Sequence, residues 1–461
     1  MSLAVIILAA GKGVRMNSEL PKVLHPILKK PMLRYVLDAA DGVGPERVVL
    51  VLGHGSKLIK NAVSDYPVQT VIQQPQLGTG HAVLCCEDVL RDFSGDILIL
   101  SGDVPSVSVT TLRKFTDSHV KCGADVSFVS AVLDDPGGYG RVIRDSEGQV
   151  LRIVEERDAT SNERKQSEVN AGIYCVRSSF LWDALSGLDT ENNQGEYYLP
   201  GIVNLCVSRG RGLQAFTLGD IKEVSGVNTR EQLTQAERTV RRAINRRHME
   251  NGVTIIDPET TYISDFASIG RDTTVYPNTY IYGETSIGEG CSLGPSVYIE
   301  NSRIGNNVKI KFSSYLVQCE AEDGVVMGPF CHLRPEARIE KGAKIGNFVE
   351  IKKSRIGTGS KVPHLSYVGD ADIGKGVNIG AGTITCNYDG LNKHVTVVED
   401  GAFVGSDTML VAPIKVGEGA TTAAGSTITK DVSPGSLAIE RGGQKEIAGW
   451  AERKRARERK S

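Results

Sequence analysis

ISDFASIGRDTTVYPNTYIYGETSIGEGCSLGPSVYI, residues 263–299, decides the fold. An apolar residue recurs at every sixth position: Ile263, Ile269, Val275, Ile281, Ile287, Leu293 and Ile299. The register slips by one residue and continues through Ile304, Ile310 and Leu316. It resumes at Met327, Leu333, Ile339, Ile345 and Ile351, slips to Ile356, Val362 and Val368, and slips again to Ile373 and Ile379. Val398, Val404, Leu410, Val416, Thr422 and Ile428 close the series. A period of six matches neither a helical face nor the two-residue alternation of a hairpin meander. It matches a solenoid with three short-strand sides, roughly 18 residues per coil. Residues 263–428 then supply about nine coils. A β-sandwich would need two-residue alternation and turns about every 8–12 residues, and this stretch has neither. Periodicity leaves the handedness open. Residues 385–396, TCNYDGLNKHVT, interrupt the period. Insertions in solenoids form loops that often line a binding face.

The first ~225 residues follow another pattern. Short apolar runs at Val5–Ala10, Val48–Leu52, Ile97–Leu100 and Val126–Val132 alternate with helical patterns such as Pro31–Ala40 and Gly80–Leu90. Such alternation predicts a mostly parallel α/β sheet. Residues 229–250 are highly charged and lack Gly and Pro, which predicts an exposed connecting helix that ends at Asn251-Gly252 and carries a solvated His248. The expected domains are 1–228, the helix 229–250, and 251–461.

The 461 residues carry 53 Lys+Arg and 55 Asp+Glu, a net charge of -2. This balance argues against general nucleic-acid binding. A hydrophobic fraction of 40% argues against disorder. The early apolar run Leu3–Ala10 is too short to span a bilayer, so no membrane insertion is expected. Nine cysteines without a C-x-x-C pair suggest small hydrophobes in a reducing cytoplasm. The basic tail RKRARERKS reads as a solvated or disordered end rather than a nucleic-acid patch.

The segment LAAGKGVRMNSELPK, Leu8 to Lys22, ends a strand in Gly11-Lys12-Gly13 and adds Arg15 and Lys22. Glycines let backbone N–H groups approach phosphate oxygens, and the cations suit a polyphosphate. The segment matches neither the P-loop nor G-x-G-x-x-G. It resembles the signature of sugar-1-phosphate nucleotidylyltransferases, with Val14 where Thr is usual. Further matches follow in order: QQPQLGTGHAV with Gln73, Gly78 and Thr79, then LSGDVP with Ser101, Gly102 and Asp103. GYGRV carries Gly140, IVEERDA Glu155, VNAGIY Asn170 and GVNTR Asn228. The resemblance implies phosphate contacts from Lys22 and Arg15, uracil contacts from Gln73, Gly78 and Thr79, and sugar contacts from Gly140, Glu155 and Asn170. Leu8, Ala9, Ala10, Gly11, Ser101 and Gly102 complete the implied nucleotide-sugar set, with Mg²⁺ on Asp103 and Asn228.

The solenoid carries polar residues that a mere scaffold does not need. HLRPEA holds Arg334, VEIKKS holds Glu350 and Lys352, and VPHLSYVGD holds His364 and Tyr367. The inserted loop holds Asn387, Tyr388 and Lys393. Acetylation of an amine needs a base of near-neutral pKa, and histidine supplies one. A carboxylate can orient that imidazole, and fixed cations can hold a sugar phosphate.

Together these motifs resemble the bacterial family of bifunctional N-acetylglucosamine-1-phosphate uridylyltransferases and glucosamine-1-phosphate acetyltransferases, over about residues 3–450. The resemblance implies an α/β nucleotidyltransferase domain followed by a left-handed parallel β-helix of hexapeptide repeats that forms a homotrimer. It implies His364 as general base with Glu350 beside it. Arg334, Lys352, Tyr367, Asn378 and Lys393 are the implied sugar-phosphate contacts. Ala381, Asn387, Tyr388, Ser406, Ala424 and Arg441 are the implied acetyl-CoA contacts. The implied substrates are glucosamine 1-phosphate, acetyl-CoA and UTP. The family often has A-G-H-L-[ST]-Y where this chain reads VPHLSY, so Pro363 puts the placement of His364 in question. The rival reading is a single-activity nucleotidylyltransferase whose β-helix only trimerises or regulates. The inserted loop and His364 speak against it.

Overall fold

A strand covered on both faces must be apolar at successive positions. Leu3–Ala9, LAVIILA, meets that demand and is buried along almost its whole length. Leu3, Val5, Ile7 and Ala9 enter one core and Ala4 and Ile6 the other. The computed structural model describes residues 2–219 and 221–459, which divide into two units, Met1–Ile244 and Asn245–Ser461.

In the first unit the sheet runs Leu213–Leu218, Val126–Val132, Glu168–Arg177, Asp96–Ser101, Leu3–Ala9, Arg47–Leu52, Gln69–Ile72. Along this path only Glu168–Arg177 is antiparallel to its neighbours. The hairpin Arg141–Arg144 and Val150–Val154 joins at the side. Helix Met32–Asp41 packs on one face, and Ser178–Ser186 and Gly201–Ser208 on the other. The predicted helix Gly80–Leu90 is two helices, Thr79–Leu84 and Glu87–Leu90. Leu3–Ala9 connects forward to a strand on one side, and the later strand Asp96–Ser101 pairs on the other. The carboxyl ends of these two strands therefore flank the point where strand order reverses, which is where open α/β sheets bind ligands.

The second unit is a three-sided parallel β-helix, with sheets of 11, 10 and 9 strands. Ile263, Ile281, Ile299, Leu316, Leu333, Ile351 and Val368 pair in succession along one side, and all are buried. The register slips in the sequence are coils of 17 residues instead of 18, as in the pairing of Ile287 with Ile304. Ile373 pairs with Val398, 25 residues on, because the inserted loop leaves the coil between them. Close stacking decides one glycine: a Cβ on Gly346 would meet the Pro363 carbonyl oxygen at 1.6 Å. Pro363 itself forfeits a rung of the ladder. At the same level of neighbouring coils Gly328 and Gly380 donate their N–H at 2.9 and 2.8 Å, and proline has none to give. Beyond Lys361–Asn378 the strand has no further pair on that side, but Asn347–His364 keeps its register on the other.

The charged segment forms helix Arg230–Glu250, which differs from the expectation of full exposure. Ala236, Val240, Arg241 and Ile244 are buried, and so are Asn245 and His248 in its last turns. Solenoids need capped ends. Asn245 Nδ2 donates to the carbonyls of Pro258 and Thr261 at 2.9 and 3.0 Å, and Val253 N donates to His248 O at 3.0 Å. The histidine read as solvated is thus part of a cap. The tail, read as a solvated or disordered end, forms helix Trp450–Glu458, exposed throughout. All nine cysteines are free.

Burial, and then Arg247, pushes the His248 imidazole down to about 4 from the ordinary 6.5. The unfolded chain takes up this proton below pH 6.5 and the folded chain does not, so stability falls as pH drops from 6.5 toward 4. The effect is on the order of 2–3 kcal/mol. Denaturant melts of the wild type and His248→Gln across this window should show the steeper acid loss in the wild type. Parallel curves would remove His248 as the cause.

Candidate active sites

The first site begins where two strands end. Leu8, Ala9, Ala10 and Gly11 leave Leu3–Ala9, and Ser101 and Asp103 leave Asp96–Ser101; all line a cleft of about 480 Å³. Gly102 N donates to Leu8 O at 2.9 Å and ties the two ends together. Lys22, in the short turn Lys22–Leu24, ion-pairs with Asp103 and donates to Asn228 Oδ1 at 3.0 Å. One ammonium, one carboxylate and one amide oxygen thus share a point at the cleft mouth.

Asn228 is held by the start of helix Arg230–Glu250. Thr229-x-x-Gln232 is a reciprocal capping box: Thr229 Oγ1 accepts from Gln232 N at 3.2 Å, and Gln232 Oε1 accepts from Thr229 N at 3.1 Å and Asn228 N at 2.8 Å. Arg230 reaches Met16 O at 3.2 Å and lies 3.2 Å from Nδ1 of buried His25, at the end of the Lys22 turn. One motif therefore braces both the glycine loop and the lysine turn. Sequence reading missed Arg230 and His25; the signal was an Arg directly inside a helix start.

Gln73 and Gly78 meet across the cleft, Gln73 Nε2 donating to Gly78 O at 2.9 Å. Gln73 also lies 3.2 Å from Nδ1 of His81. Thr79 Oγ1 accepts from Leu199 N at 3.0 Å. The sugar-side residues form a second group. Asn170 N donates to Gly140 O at 2.9 Å, Asn170 Nδ2 donates to Tyr174 Oη at 2.6 Å, and a Cβ on Gly140 would lie 3.6 Å from the Glu155 carboxyl carbon. Burial, followed by Asp158 and Glu196, holds the Glu155 carboxyl above its ordinary value. Glu196 also lines the first cleft, which links the two groups. Arg15 is exposed on the turn Val14–Met16 and is not part of the cleft lining.

In the solenoid, register assembles the second site. Asn347 pairs with His364. Hydrogen bonds at the corner put Ala381, Ser406 and Ala424 above His364 on successive coils: Gly382 N donates to His364 O at 3.3 Å, Asp407 N to Ala381 O at 2.6 Å and Gly425 N to Ser406 O at 2.8 Å. These residues make one column down one corner, and Arg441 Nη1 donates to Ala424 O at 2.9 Å. Arg334, Lys352, Glu350 and Tyr367 face outward from the adjoining sheet, and Asn378 belongs to the sheet before the corner. The inserted loop is anchored beside them: Asn387 Nδ2 donates to Asp370 Oδ2 at 2.5 Å, and Lys352 Nζ lies 3.6 Å from the same oxygen. Tyr388 and Lys393 bridge across the loop. Lys352 holds Lys393 below its ordinary value, and Lys393, more than Asp370, raises Lys352.

Glu350 turns away from the role expected of it. Its carboxylate accepts from Arg334 Nη1 at 2.8 Å, while His364 Nδ1 lies 2.5 Å from Asn347 Oδ1. Asn347 escaped the sequence reading, although it stands one 17-residue coil before the histidine. Asp370, in the same motif as His364, was also passed over.

A nucleotidyltransferase-type cleft and a hexapeptide β-helix with its own polar column define a two-site transferase. The model of the MobA-like NTP transferase domain matches residues 5–166, and that of the bacterial transferase hexapeptide (six repeats) matches residues 266–301. The chain is 47% identical over 447 residues to the bifunctional protein GlmU of Syntrophomonas wolfei, covering 97% of this chain and 99% of that one. It is 50% identical over 439 residues to the protein of the same name in Carboxydothermus hydrogenoformans, covering 95% and 98%. It is 47% identical over 455 residues to that of Geotalea uraniireducens, covering 98% and 100%. The chain belongs to the family of the bifunctional protein GlmU. It is a bifunctional uridylyltransferase and acetyltransferase of UDP-N-acetylglucosamine synthesis, and its second domain is a left-handed parallel β-helix.

Gly13 offers a local test. It has φ +61°, and a Cβ there would meet Lys22 Cβ at 2.5 Å. Gly13→Ala should displace Lys22 and lower uridylyl transfer about ten- to a hundredfold, leaving acetyl transfer at the wild-type rate. Pyrophosphate and CoA release measured side by side check this.

Proposed function

We propose that each unit carries one half-reaction. In the first, a phosphate oxygen of N-acetylglucosamine 1-phosphate attacks the α-phosphorus of UTP and pyrophosphate leaves. Lys22 and Arg15 neutralise phosphate charge, so that two anions can approach. Leu8, Ala9, Ala10, Gly11, Ser101 and Gly102 wall the nucleotide. Gln73, Gly78 and Thr79 hold the uracil, and Gly140, Glu155 and Asn170 hold the sugar.

Among the described residues no cluster of three or more His, Cys, Asp or Glu could enclose a metal. Mg²⁺ does not require one, since it keeps several waters and takes one or two protein oxygens. Asp103 and Asn228 fit, because their oxygens converge on one point at Lys22 Nζ. A bound Mg²⁺ would supply charge neutralisation at the triphosphate, with Asp103 and Asn228 holding it.

In the second unit, the amine of glucosamine 1-phosphate attacks the thioester carbonyl of acetyl-CoA. His364 takes the proton from the amine and returns it to the departing sulfur, so that the C–S bond breaks and CoA leaves as the thiol. Arg334, Lys352, Tyr367, Asn378 and Lys393 hold the sugar phosphate. Ala381, Asn387, Tyr388, Ser406, Ala424 and Arg441 hold acetyl-CoA. Glu350 fixes Arg334. Acetylation comes first, since its product is the substrate of uridylyl transfer. The β-helix forms a homotrimer. The enzyme works in the cytoplasm, and no helix among the described residues is long and apolar enough to cross a membrane.

What carries this reading is that each unit gathers its own motif residues: Lys22, Asp103 and Asn228 at the end of two strands, and His364 in one column with Ala381, Ser406 and Ala424.

The test is a paired assay of wild type, His364→Ala and Asp103→Ala. His364→Ala should abolish CoA release from acetyl-CoA and glucosamine 1-phosphate while keeping pyrophosphate release from UTP and N-acetylglucosamine 1-phosphate. Asp103→Ala should do the reverse. Loss of both activities in either variant would overturn the division. A wild type that releases pyrophosphate but no CoA would reduce the β-helix to a scaffold.

A further inference from the structure

We infer that Asn347 is the positioning residue for the base: its side-chain oxygen accepts the Nδ1–H of His364 and leaves Nε2 free to take the proton of the attacking amine. This deepens, and rests on, the acetyl-transfer reading of His364. A neutral imidazole carries one N–H, and the partner of one nitrogen decides the state of the other. His364 Nδ1 lies 2.5 Å from Asn347 Oδ1. An acceptor at Nδ1 puts the hydrogen there.

The placement is built into the coil. Asn347 and His364 are register partners, and Leu365 N donates to Asn347 O at 3.0 Å. Ser366 Oγ donates to His364 O at 2.8 Å. Asn347 thus fixes the histidine through both main chain and side chain. Its neighbour Gly346 lets the next coil close in to Pro363.

The usual orienting partner of a catalytic histidine is a carboxylate, which also stabilises the charged ring. Here the carboxylate expected in that place, Glu350, is matched by Arg334. The surrounding elements also carry Lys361 on the same strand, Lys344 on the coil below, Lys352 and Tyr367 on the adjoining sheet and Asp407 at the corner above. An amide acceptor orients the ring without favouring its protonated form as a carboxylate would. The amide therefore orients the ring while Nε2 keeps its lone pair.

The experiment measures acetyl transfer by the full-length enzyme against pH for wild type, Asn347→Ala, Asn347→Asp and Glu350→Gln, with pyrophosphate release as the control for folding. Asn347→Ala should lower kcat about ten- to a hundredfold, with KM for glucosamine 1-phosphate and acetyl-CoA within about twofold. Asn347→Asp restores an acceptor and adds charge. It should recover most of kcat and move the acid limb of the pH–kcat profile up by about one unit. If Asn347→Ala fails to fold, the Asp variant decides by the same shift. The inference is overturned if both Asn347 variants keep the wild-type rate and profile, if they lose rate equally with no change of profile, or if Glu350→Gln alone moves the acid limb. A wild type without CoA release would instead sink the acetyl-transfer reading itself.

Discussion

In the β-helix each residue is tied to the one 17 or 18 positions earlier, because successive coils hydrogen-bond in parallel register. The constraint is geometric. An apolar residue in one coil demands an apolar residue below it, and a corner residue stacks on a corner residue. Burying such a ladder stabilises the fold by about 1.5–3 kcal/mol for each large aliphatic side chain. The same tie also builds the second site, since residues far apart in sequence come into one column without any loop having to position them. The inserted loop is the exception, and it is anchored by a buried polar contact, Asn387 to Asp370.

The α/β unit gathers its site by another route. Its strands end together at the reversal of strand order, and the turns that follow are free to carry chemistry. Their precision comes from helix Arg230–Glu250, whose capping box fixes Asn228 and whose Arg230 holds the glycine loop. A motif at the far end of the unit therefore disciplines a loop near residue 16.

Legibility followed from these two mechanisms. The six-residue period was readable because nearly all register positions hold apolar residues stacked on buried neighbours, with Thr385 and Thr422 as buried exceptions. The α/β strands were readable as continuous apolar runs. His248 was misread because a charged helix hid the few positions that cap a solenoid end, and capping depends on tertiary neighbours that local composition does not report. Asn347 was missed because two residues one coil apart look unrelated until the register is known. Once the 17-residue coil is applied, Asn347 falls beside His364 and Glu350 beside Tyr367.

The two sites handle phosphate charge in opposite ways. Lys22 is largely buried and already paired with Asp103, so the cation is compensated before any substrate arrives. Breaking such a pair without a replacement costs several kcal/mol, so a phosphate is admitted only as it takes over the lysine. Lys352 and Lys393 instead perturb one another, and Asp370 is the carboxylate beside Lys352. Two ammonium groups in contact repel, and a dianion placed between them relieves that repulsion. The first arrangement favours exchange of one partner for another. The second favours capture of an anion that both cations can share.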